Sequence, residues 1–153
     1  GRRFNLIKFR SMKKSIEPYP VIDLLEDDPR VSKIGKFLRS IAMDELPQLI
    51  NILKGDMSFV GPKPLPFARQ DEEGLKYKTI EDIPGYKKRS KVIPGLTGLA
   101  QVYSPKKTTN RNKFRYDSIY IDNRSMFLDL WIILTSFYIT LNAKWESSRR
   151  GRH

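Results

Sequence analysis

The chain has 153 residues, of which 39% are hydrophobic, and this length and composition predict one folded domain with a modest core. Its 29 Lys and Arg against 17 Asp and Glu give a net charge of +12, which favours a polyanionic partner such as nucleic acid, an anionic membrane surface or a phosphorylated substrate. The chain has no cysteine, which excludes disulfides, thiolate catalysis and Cys-based metal centres. Its single histidine is the last residue, which excludes His-based chemistry except from a tail. Any catalysis must therefore use carboxylates, Lys, Arg or hydroxyls.

The first predicted elements are a short strand and a loop. In the opening stretch RRFNLIKFRSM, the period-two spacing places Lys8 and Arg10 on one face and Phe9 on the other. This predicts a strand that carries two cations on one side. Residues 13–26 contain EPYP and lack clean periodicity, which predicts an irregular loop.

A basic amphipathic helix is predicted next, over about residues 29–42. Asp28 is expected as its N-cap and Pro29 in its first position, where a missing N–H costs nothing. Apolar residues recur at helical spacing, with basic residues towards the other side. The apolar set is Val31, Ile34, Phe37, Leu38 and Ile41, and the basic set is Lys33, Lys36 and Arg39.

A second helix is predicted over about residues 45–54, with Asp44 as N-cap and Gly55 at the C-terminal cap. Asp44 and the Glu that follows it have two readings. As a cap, an acidic first turn complements the helix dipole. As chemistry, the Asp can attack a phosphorus while the Glu holds Mg²⁺, provided that cations such as Arg39 and Lys63 offset the repulsion from a diphosphate. The spacing alone favours the cap.

The middle of the chain is predicted to be mostly irregular. Residues 55–66, GDMSFVGPKPLP, form a turn punctuated by Gly and Pro, and residues 69–91 form a solvated mixed-charge segment. The stretch VIPGLTGLAQV at residues 92–102 is expected to be a glycine-bearing loop that leads into a short strand. Residues 104–115 are basic and polar, which predicts a mobile loop.

The last predicted element is a nearly all-apolar helix over residues 125–141, which is short for a bilayer span. A buried core helix is the usual interpretation of such a stretch. The alternative is a helix at the membrane interface, with Trp131 and Tyr138 at headgroup level and the basic residues 144–152 beside anionic lipid. The net charge favours the second interpretation without deciding between them.

Five motifs follow one another along the chain: KFRSM, DDPRVSKIGKFLRS, MDELPQLINILKGDMSFVGPKP, KVIPGLTGLAQV and YDSIYIDNRSMFLDLWIIL. In this order they closely resemble the bacterial sugar transferase family, the polyprenyl-phosphate sugar-1-phosphate transferases of the monotopic phosphoglycosyl transferase type. The resemblance covers about residues 4–141, and five ordered motifs are far more specific than one short pattern.

The resemblance implies an enzyme that uses Mg²⁺ to transfer a sugar 1-phosphate from a UDP-sugar to undecaprenyl phosphate, with UMP as the second product. It further implies an α+β, predominantly helical fold with a small β component, in one membrane-apposed catalytic domain over residues 1–153. Family members act on the cytoplasmic face of the bacterial inner membrane, in the first membrane step of surface polysaccharide or glycoconjugate synthesis. Their N-terminal membrane anchor has no counterpart here, so we expect the cytoplasmic part of a monotopic protein.

The resemblance assigns roles only where the motifs match. Asp44 would be the nucleophile that forms a phosphosugar intermediate, and Glu45 the principal Mg²⁺ ligand. Direct transfer, with Asp44 only positioning the acceptor or a metal, is the alternative. Lys8, Arg10 and Arg39 would contact phosphates or position the two carboxylates.

Further matches and departures lie downstream. Asp117 and Asp129 match acidic residues in or just before the C-terminal helix and are possible supporting groups. Lys63 stands where the family usually has Arg, so a bidentate phosphate clamp becomes a point charge. The segment after AQV, YSPKK, also departs from the usual Asn-Gly-Arg. The PGxTGxxQ loop, either architectural or part of the substrate pocket, supplies Gly95, Thr97, Gly98 and Gln101.

Two other classes of function remain open from the residues. A nucleic-acid-binding module explains the charge of +12, with the basic strip PKKTTNRNKFRY and its aromatic residues as the contact surface. Against it, the basic residues are spread along the chain, and the resemblance implies an anionic membrane surface and no nucleic acid. In a non-catalytic membrane-peripheral adaptor, Asp44 would be only a cap.

Overall fold

The computed structural model describes residues 3–13, 29–65, 80–105 and 108–150, with backbone alone for residues 143–150. The described residues are mainly helical. In chain order the elements are α1 (Lys33–Ser40), a 3₁₀ turn (Met43–Glu45), α2 (Gln48–Leu53), β1 (Ser58–Val60), a second 3₁₀ turn (Ile80–Asp82), α3 (Tyr86–Arg89), β2 (Gly95–Thr97), α4 (Leu99–Tyr103), α5 (Asn110–Asn123) and α6 (Met126–Arg150). The predicted α+β, predominantly helical fold is confirmed.

The β component is one parallel pair, in which Ser58 is opposite Gly95 and Val60 is opposite Thr97. The strands lie so close at one end that a Cβ on Gly95 would clash with the backbone of Gly61. A residue without a side chain is therefore required there. The two strands therefore start at the same end of the pair, and both contact α6.

The core lies where the sheet meets the two long helices. Val60, Tyr120 and Ile132 are buried together, and partly buried apolar residues of α4, α5 and α6 pack around them. A second packing contact joins α3 to α5, where the rings of Tyr86 and Phe114 lie with centroids 6.3 Å apart. The long helices thus hold the sheet and α3 in fixed positions.

The opening segment is not the predicted strand. Residues 3–11 have no regular secondary structure, and a single antiparallel bridge joins Met12 to Val31. Its backbone bonds to separate partners instead of to one neighbouring strand: Phe9 N donates to the Asp44 carbonyl, and a side chain serves Asn5 and Ile7. Asn51, buried in α2, accepts a hydrogen bond from Ile7 N at 3.0 Å and donates one to Asn5 O at 2.9 Å.

The first predicted helix exists but begins later than expected. Ser32, not Asp28, caps α1, because its hydroxyl accepts a hydrogen bond from Gly35 N at 2.9 Å. Asp28 lies outside the described residues, as does the predicted loop at residues 13–26 apart from residue 13, and Pro29 lies in a turn. Gly35 packs directly on the Ser11 backbone, where a Cβ would clash, and this contact fixes α1 against the opening segment.

The second predicted helix also begins later. Asp44 is not its N-cap, because Asp44 and Glu45 lie in the first 3₁₀ turn and α2 begins at Gln48 after Pro47. The predicted C-terminal cap at Gly55 is confirmed, since this residue has φ +76° and its N–H donates to Ile52 O.

Four predictions for the middle of the chain were wrong in part. Within the predicted turn at residues 55–66, Ser58–Val60 form β1. In the stretch 92–102 the strand comes first, at β2, and a helix, α4, follows it. Residues from 110 onward belong to α5, whose N-cap Thr109 accepts a hydrogen bond from Asn112 N. Residues 80–91 are not simply solvated, because Arg89 is buried, and residues 69–79 lie outside the described part of the chain.

The C-terminal helix is confirmed, but its interpretation as a core helix was wrong. Ile132 is fully buried, whereas most other large apolar side chains between residues 126 and 141 are exposed, Phe127 by 88%. None of the helices in the described ranges has the length and apolar content needed to cross a bilayer. α6 thus presents a largely uncovered apolar surface.

Candidate active site

Asp44 and Glu45, called here the dyad, lie side by side in the 3₁₀ turn between α1 and α2. Ala42 turns the chain into this position with a left-handed backbone conformation, φ +53°, which is uncommon for a residue with a side chain. Both dyad residues are half-buried. The backbone of Asp44 is held from the opposite side, because its carbonyl accepts a hydrogen bond from Phe9 N at 2.9 Å.

Lys63 contacts the dyad directly. Its Nζ donates to Glu45 Oε1 at 2.8 Å, and the two side chains are 53% and 28% exposed. An ion pair this open to water contributes little to stability. Its significance is positional, because it sets a cation beside two adjacent carboxylates at the surface of the protein.

The other predicted cations, Lys8, Arg10 and Arg39, are connected to the dyad turn through residues 8–11 of the opening segment. Arg39, in the last turn of α1, donates from Nε to Ser11 Oγ at 2.7 Å. Ser11 follows Arg10 in the chain, and the neighbouring Phe9 is the residue bonded to the Asp44 carbonyl. Lys8 and Arg10 are exposed on either side of Phe9, so all three cations lie on elements attached to the dyad turn.

The turn that carries Lys63, residues 61–64 and called here the GPKP turn, is fastened to the PGxTGxxQ loop. Gly61 N donates to Thr97 O at 2.9 Å, and Gly95 N donates to Pro62 O at 3.0 Å. In the same loop, Thr97 Oγ1 and both side-chain polar atoms of Gln101 are buried without a hydrogen-bond partner among the described residues. Buried polar atoms are normally satisfied, so this loop has polar capacity for a ligand or water.

Asp117 does not reach the dyad. Its carboxylate accepts a hydrogen bond from Arg89 Nε at 2.9 Å, and the side chains of Arg89 and Asp117 are only 7% and 3% exposed. Burial raises the pKa of the Asp117 carboxyl and lowers that of the Arg89 guanidinium, while the attraction between them opposes both shifts. Arg89 also donates from Nη2 to the backbone carbonyl of Lys63 at 2.6 Å.

Asp129 belongs to a different contact. Its Oδ1 accepts a hydrogen bond from the Tyr120 hydroxyl at 2.8 Å, which ties α6 to α5. Burial is the main reason that the pKa of Tyr120 is raised, and the Asp129 charge adds to it. Both residues line an open groove of about 380 Å³, together with Ser58 and Arg124, and the dyad is not part of this lining.

The structure thus brings some of the predicted site residues together and leaves others apart. Glu45 and Lys63 are in contact, Asp44 adjoins them, and Arg39 is fixed to the segment of Lys8 and Arg10. Thr97 and Gln101 belong to the loop that holds the GPKP turn, whereas Asp117 and Asp129 make contacts elsewhere.

Sequence reasoning missed Arg89, which lies in a run of three basic residues, KKR. A signal was present, because Ile83, Tyr86 and Arg89 recur every third residue, a spacing that favours one shared face. Ile83 and Arg89 are buried, and the Arg89 guanidinium lies 4.5 Å from the centre of the Phe114 ring.

The dyad has a limited capacity for a metal ion. No cluster of three or more His, Cys, Asp or Glu side chains that could hold a metal occurs in the described ranges. Mg²⁺ is commonly held by one or two carboxylates together with substrate phosphates and water, so two adjacent carboxylates fit this ion. They fit it as part of a complex with a diphosphate rather than as a closed protein cage.

Comparisons with known proteins cover nearly the whole chain. The model of a family described as "Bacterial sugar transferase" matches residues 1–143. A UDP-glucose:undecaprenyl-phosphate glucose-1-phosphate transferase of Klebsiella pneumoniae is 40% identical over 143 residues, which are 90% of this chain and 30% of that protein. A UDP-N-acetylgalactosamine-undecaprenyl-phosphate N-acetylgalactosaminephosphotransferase of Aeromonas hydrophila is 38% identical over 87% of this chain and 31% of its own length.

An uncharacterized sugar transferase of Bacillus subtilis is 39% identical over 87% of this chain and 60% of its own length. The chain therefore spans less than two thirds of each of these three relatives, and less than a third of the Klebsiella and Aeromonas proteins. With a family match over residues 1–143, the chain belongs to the bacterial sugar transferase family.

Proposed function

We propose that the protein transfers a sugar 1-phosphate from a UDP-sugar to undecaprenyl phosphate and releases UMP. The names of the Klebsiella and Aeromonas relatives describe this type of reaction with different sugars. The observation that carries the proposal for this chain is the dyad with the Lys63 ammonium 2.8 Å from Glu45. Two adjacent carboxylates beside a cation suit chemistry on an anionic diphosphate.

In the proposed reaction, a carboxylate oxygen of Asp44 forms a bond to the sugar-linked phosphorus as the bond from that phosphorus to UMP breaks. An oxygen of undecaprenyl phosphate then attacks the same phosphorus and frees Asp44. The product is polyprenyl diphosphate sugar, and each half-reaction breaks one phosphorus–oxygen bond and forms another. Covalent attack explains why Asp44 stands in an accessible turn rather than as a helix cap.

The remaining residues have supporting roles in this proposal. Glu45 would hold Mg²⁺, which when bound offsets the negative charge of the diphosphate. Lys63, Arg39, Lys8 and Arg10 would pair with phosphate oxygens of the donor or the acceptor. The unpartnered polar atoms of the PGxTGxxQ loop would hydrogen-bond the nucleotide or the sugar.

The acceptor explains the apolar surface of the fold. Undecaprenyl phosphate presents its phosphate at a membrane surface, so an enzyme that uses it must rest there. Exposed apolar side chains occur on three helices, where they can insert into a membrane surface. The net charge of +12 would attract the protein to anionic lipid. We propose that these faces contact the cytoplasmic side of the membrane; they include Ile34, Phe37, Leu53, Phe127 and Phe137.

The nucleic-acid interpretation loses support at its proposed contact strip. Phe114, which lies in that strip, is only 1% exposed and packs under Arg89, so it cannot stack on a base. Asn110 in the same strip is also buried.

The proposal is tested on the purified full-length protein with Mg²⁺, undecaprenyl phosphate and a panel of UDP-sugars. We expect one donor to release UMP and, without acceptor, to leave a sugar-phosphate adduct visible by intact mass. Asp44→Asn should abolish the adduct and UMP release. Glu81→Gln is the matched control, because Glu81 is an exposed carboxylate in the other 3₁₀ turn.

The outcomes separate the alternatives. Loss of the adduct on adding undecaprenyl phosphate would establish the covalent route. Full activity of Asp44→Asn would exclude that route and leave direct transfer. If no donor gives UMP even with acceptor present, the proposed reaction is wrong.

A further inference from the structure

Arg89 connects the helical core to the candidate site through a single guanidinium. Nε donates to Asp117, Nη2 donates to the carbonyl of Lys63, and the carbon of the guanidinium lies 4.5 Å from the centre of the Phe114 ring. These contacts use the planar fork of arginine, which a lysine ammonium cannot reproduce. Arg89 therefore links α3, α5 and the GPKP turn.

The buried ion pair is poorly explained by stability alone. Taking both charges out of water is costly, and hydrophobic residues of similar volume often serve a core as well or better. What an apolar pair would not provide is the charged donor that points at Lys63 O. That donor is strong, because its hydrogen bond is charge-assisted and measures 2.6 Å.

The backbone of Lys63 is suited to transmit this contact. Pro62 and Pro64 flank Lys63, and each proline ring fixes one backbone angle of the GPKP turn. The Pro62 carbonyl is already held by Gly95 N at 3.0 Å. With the Lys63 carbonyl held as well, the direction in which its side chain leaves the turn is set, and the side chain ends at Glu45.

We infer that Arg89 and Asp117 are positioning residues of the transfer reaction: the buried pair holds the Lys63 backbone and thereby places the Lys63 ammonium beside the dyad. This inference rests on the proposed function. Neither residue touches substrate in this scheme. Both act through Lys63, and their removal affects the reaction only as far as Lys63 contributes to it.

The test removes the pair without leaving a charge unpaired. In Arg89→Met with Asp117→Leu, the charges are replaced by apolar groups and the donor to Lys63 O is lost. The matched control is Lys88→Met with Asp122→Leu, which removes an exposed ion pair between the same two helices, α3 and α5. Both are made in the full-length protein, and UMP release is measured with Mg²⁺, undecaprenyl phosphate and the UDP-sugar that the wild type uses.

We expect kcat/KM to fall about 10–100-fold in the Arg89/Asp117 variant, the range typical of a misplaced active-site group, and to stay near wild type in the control. The decisive measurement repeats both variants in a Lys63→Ala background. If the pair acts through Lys63, removing Arg89 and Asp117 in the Lys63→Ala background changes kcat/KM by no more than about twofold. A merely structural role would lower the rate by the same factor in both backgrounds and would overturn the inference.

Hydrogen exchange supplies a readout that does not depend on activity. The peptide that spans residues 58–65 should exchange faster in the Arg89/Asp117 variant than in wild type and the control. If the wild type releases no UMP from any donor, the proposed function fails, and the exchange rate still decides whether the pair holds the turn. Unchanged exchange in that peptide would refute the inference.

A second variant covers the case in which the double substitution prevents folding. Arg89→Lys keeps a positive charge beside Asp117 but lacks the fork that also reaches Lys63 O. We expect Arg89→Lys to lower kcat/KM as the double variant does. In the Lys63→Ala background, Arg89→Lys should have almost no further effect on kcat/KM. Wild-type kcat/KM in Arg89→Lys would contradict the inference.

Discussion

Asp117→Asn should strongly destabilise the protein. The substitution preserves the shape of the side chain but leaves the Arg89 guanidinium, 7% exposed, without its counter-charge. Breaking a buried ion pair in this way costs about 3–5 kcal/mol, a large part of the total stability of a typical domain. For a protein of this size each kcal/mol corresponds to about 2–4 °C, so the melting temperature should fall by about 6–20 °C.

The assay is thermal unfolding followed by circular dichroism, with two comparisons. Asp122→Asn breaks an ion pair whose side chains are 40% and 59% exposed, so it should cost at most about 1 kcal/mol. Replacing both partners by apolar residues, Arg89→Met with Asp117→Leu, leaves no unpaired charge and should raise the melting temperature above that of Asp117→Asn. If Asp117→Asn melts like Asp122→Asn, water must reach the guanidinium, and the argument from burial is refuted.

Three further perturbations test other parts of the fold. The free energy of unfolding of the wild type should fall relative to that of Tyr120→Phe as the pH rises above about 10. Burial and the contact with Asp129 raise the pKa of Tyr120 in the folded protein, so its hydroxyl ionises more readily in the unfolded chain. If the denaturant midpoints of the two proteins change with pH by the same amount, this reasoning is wrong. Gly35→Ala should lower the melting temperature, because its Cβ would clash with the Ser11 backbone, and an unchanged melt would show that α1 can move away. Phe127→Glu should leave the melt unchanged, since the side chain is 88% exposed, but should reduce co-flotation with anionic vesicles; undiminished flotation would exclude this face from the membrane contact.

The sequence predicted elements best where one local signal dominates. The apolar run of α6 and the glycine after α2 were both identified in this way. The starts of α1 and α2 were misplaced because competing local signals lie close together. Ser32 and Asp28 are both good caps, and the local sequence does not decide between them; in the structure Ser32 caps α1.

Burial and long-range pairing were beyond the local pattern. An apolar run is the same in a core helix and in an exposed one, so the exposure of α6 could not be read from its residues. The opening segment has the alternation of a strand, but its backbone bonds to Asn51, more than 40 residues away. The spacing of Ile83, Tyr86 and Arg89 indicated a shared face, but it could not indicate the pairing of Arg89 with Asp117, which is 28 residues along the chain.

For the candidate site, the sequence named residues but not their geometry. A carboxylate pair after an amphipathic helix indicates either a cap or chemistry, and the structure decides against the cap, because Asp44 lies inside the 3₁₀ turn and Pro47 is the residue before α2. The family resemblance named Lys63 as a phosphate-binding cation. It did not indicate that Lys63 contacts Glu45 or that its backbone is held from the core.

The two ion pairs that converge on Lys63 differ in a way that suits the proposed reaction. The contact of Lys63 with Glu45 is open to water, so the ammonium can exchange one oxygen partner for another at small cost. The pair of Arg89 with Asp117 is sealed from water and breaks only at large cost. A mobile charge on a fixed backbone can move from the Glu45 carboxylate to an arriving phosphate and remain beside Asp44, the proposed nucleophile. Lysine, with a flexible stem and a compact charge, suits that exchange better than a rigid guanidinium would.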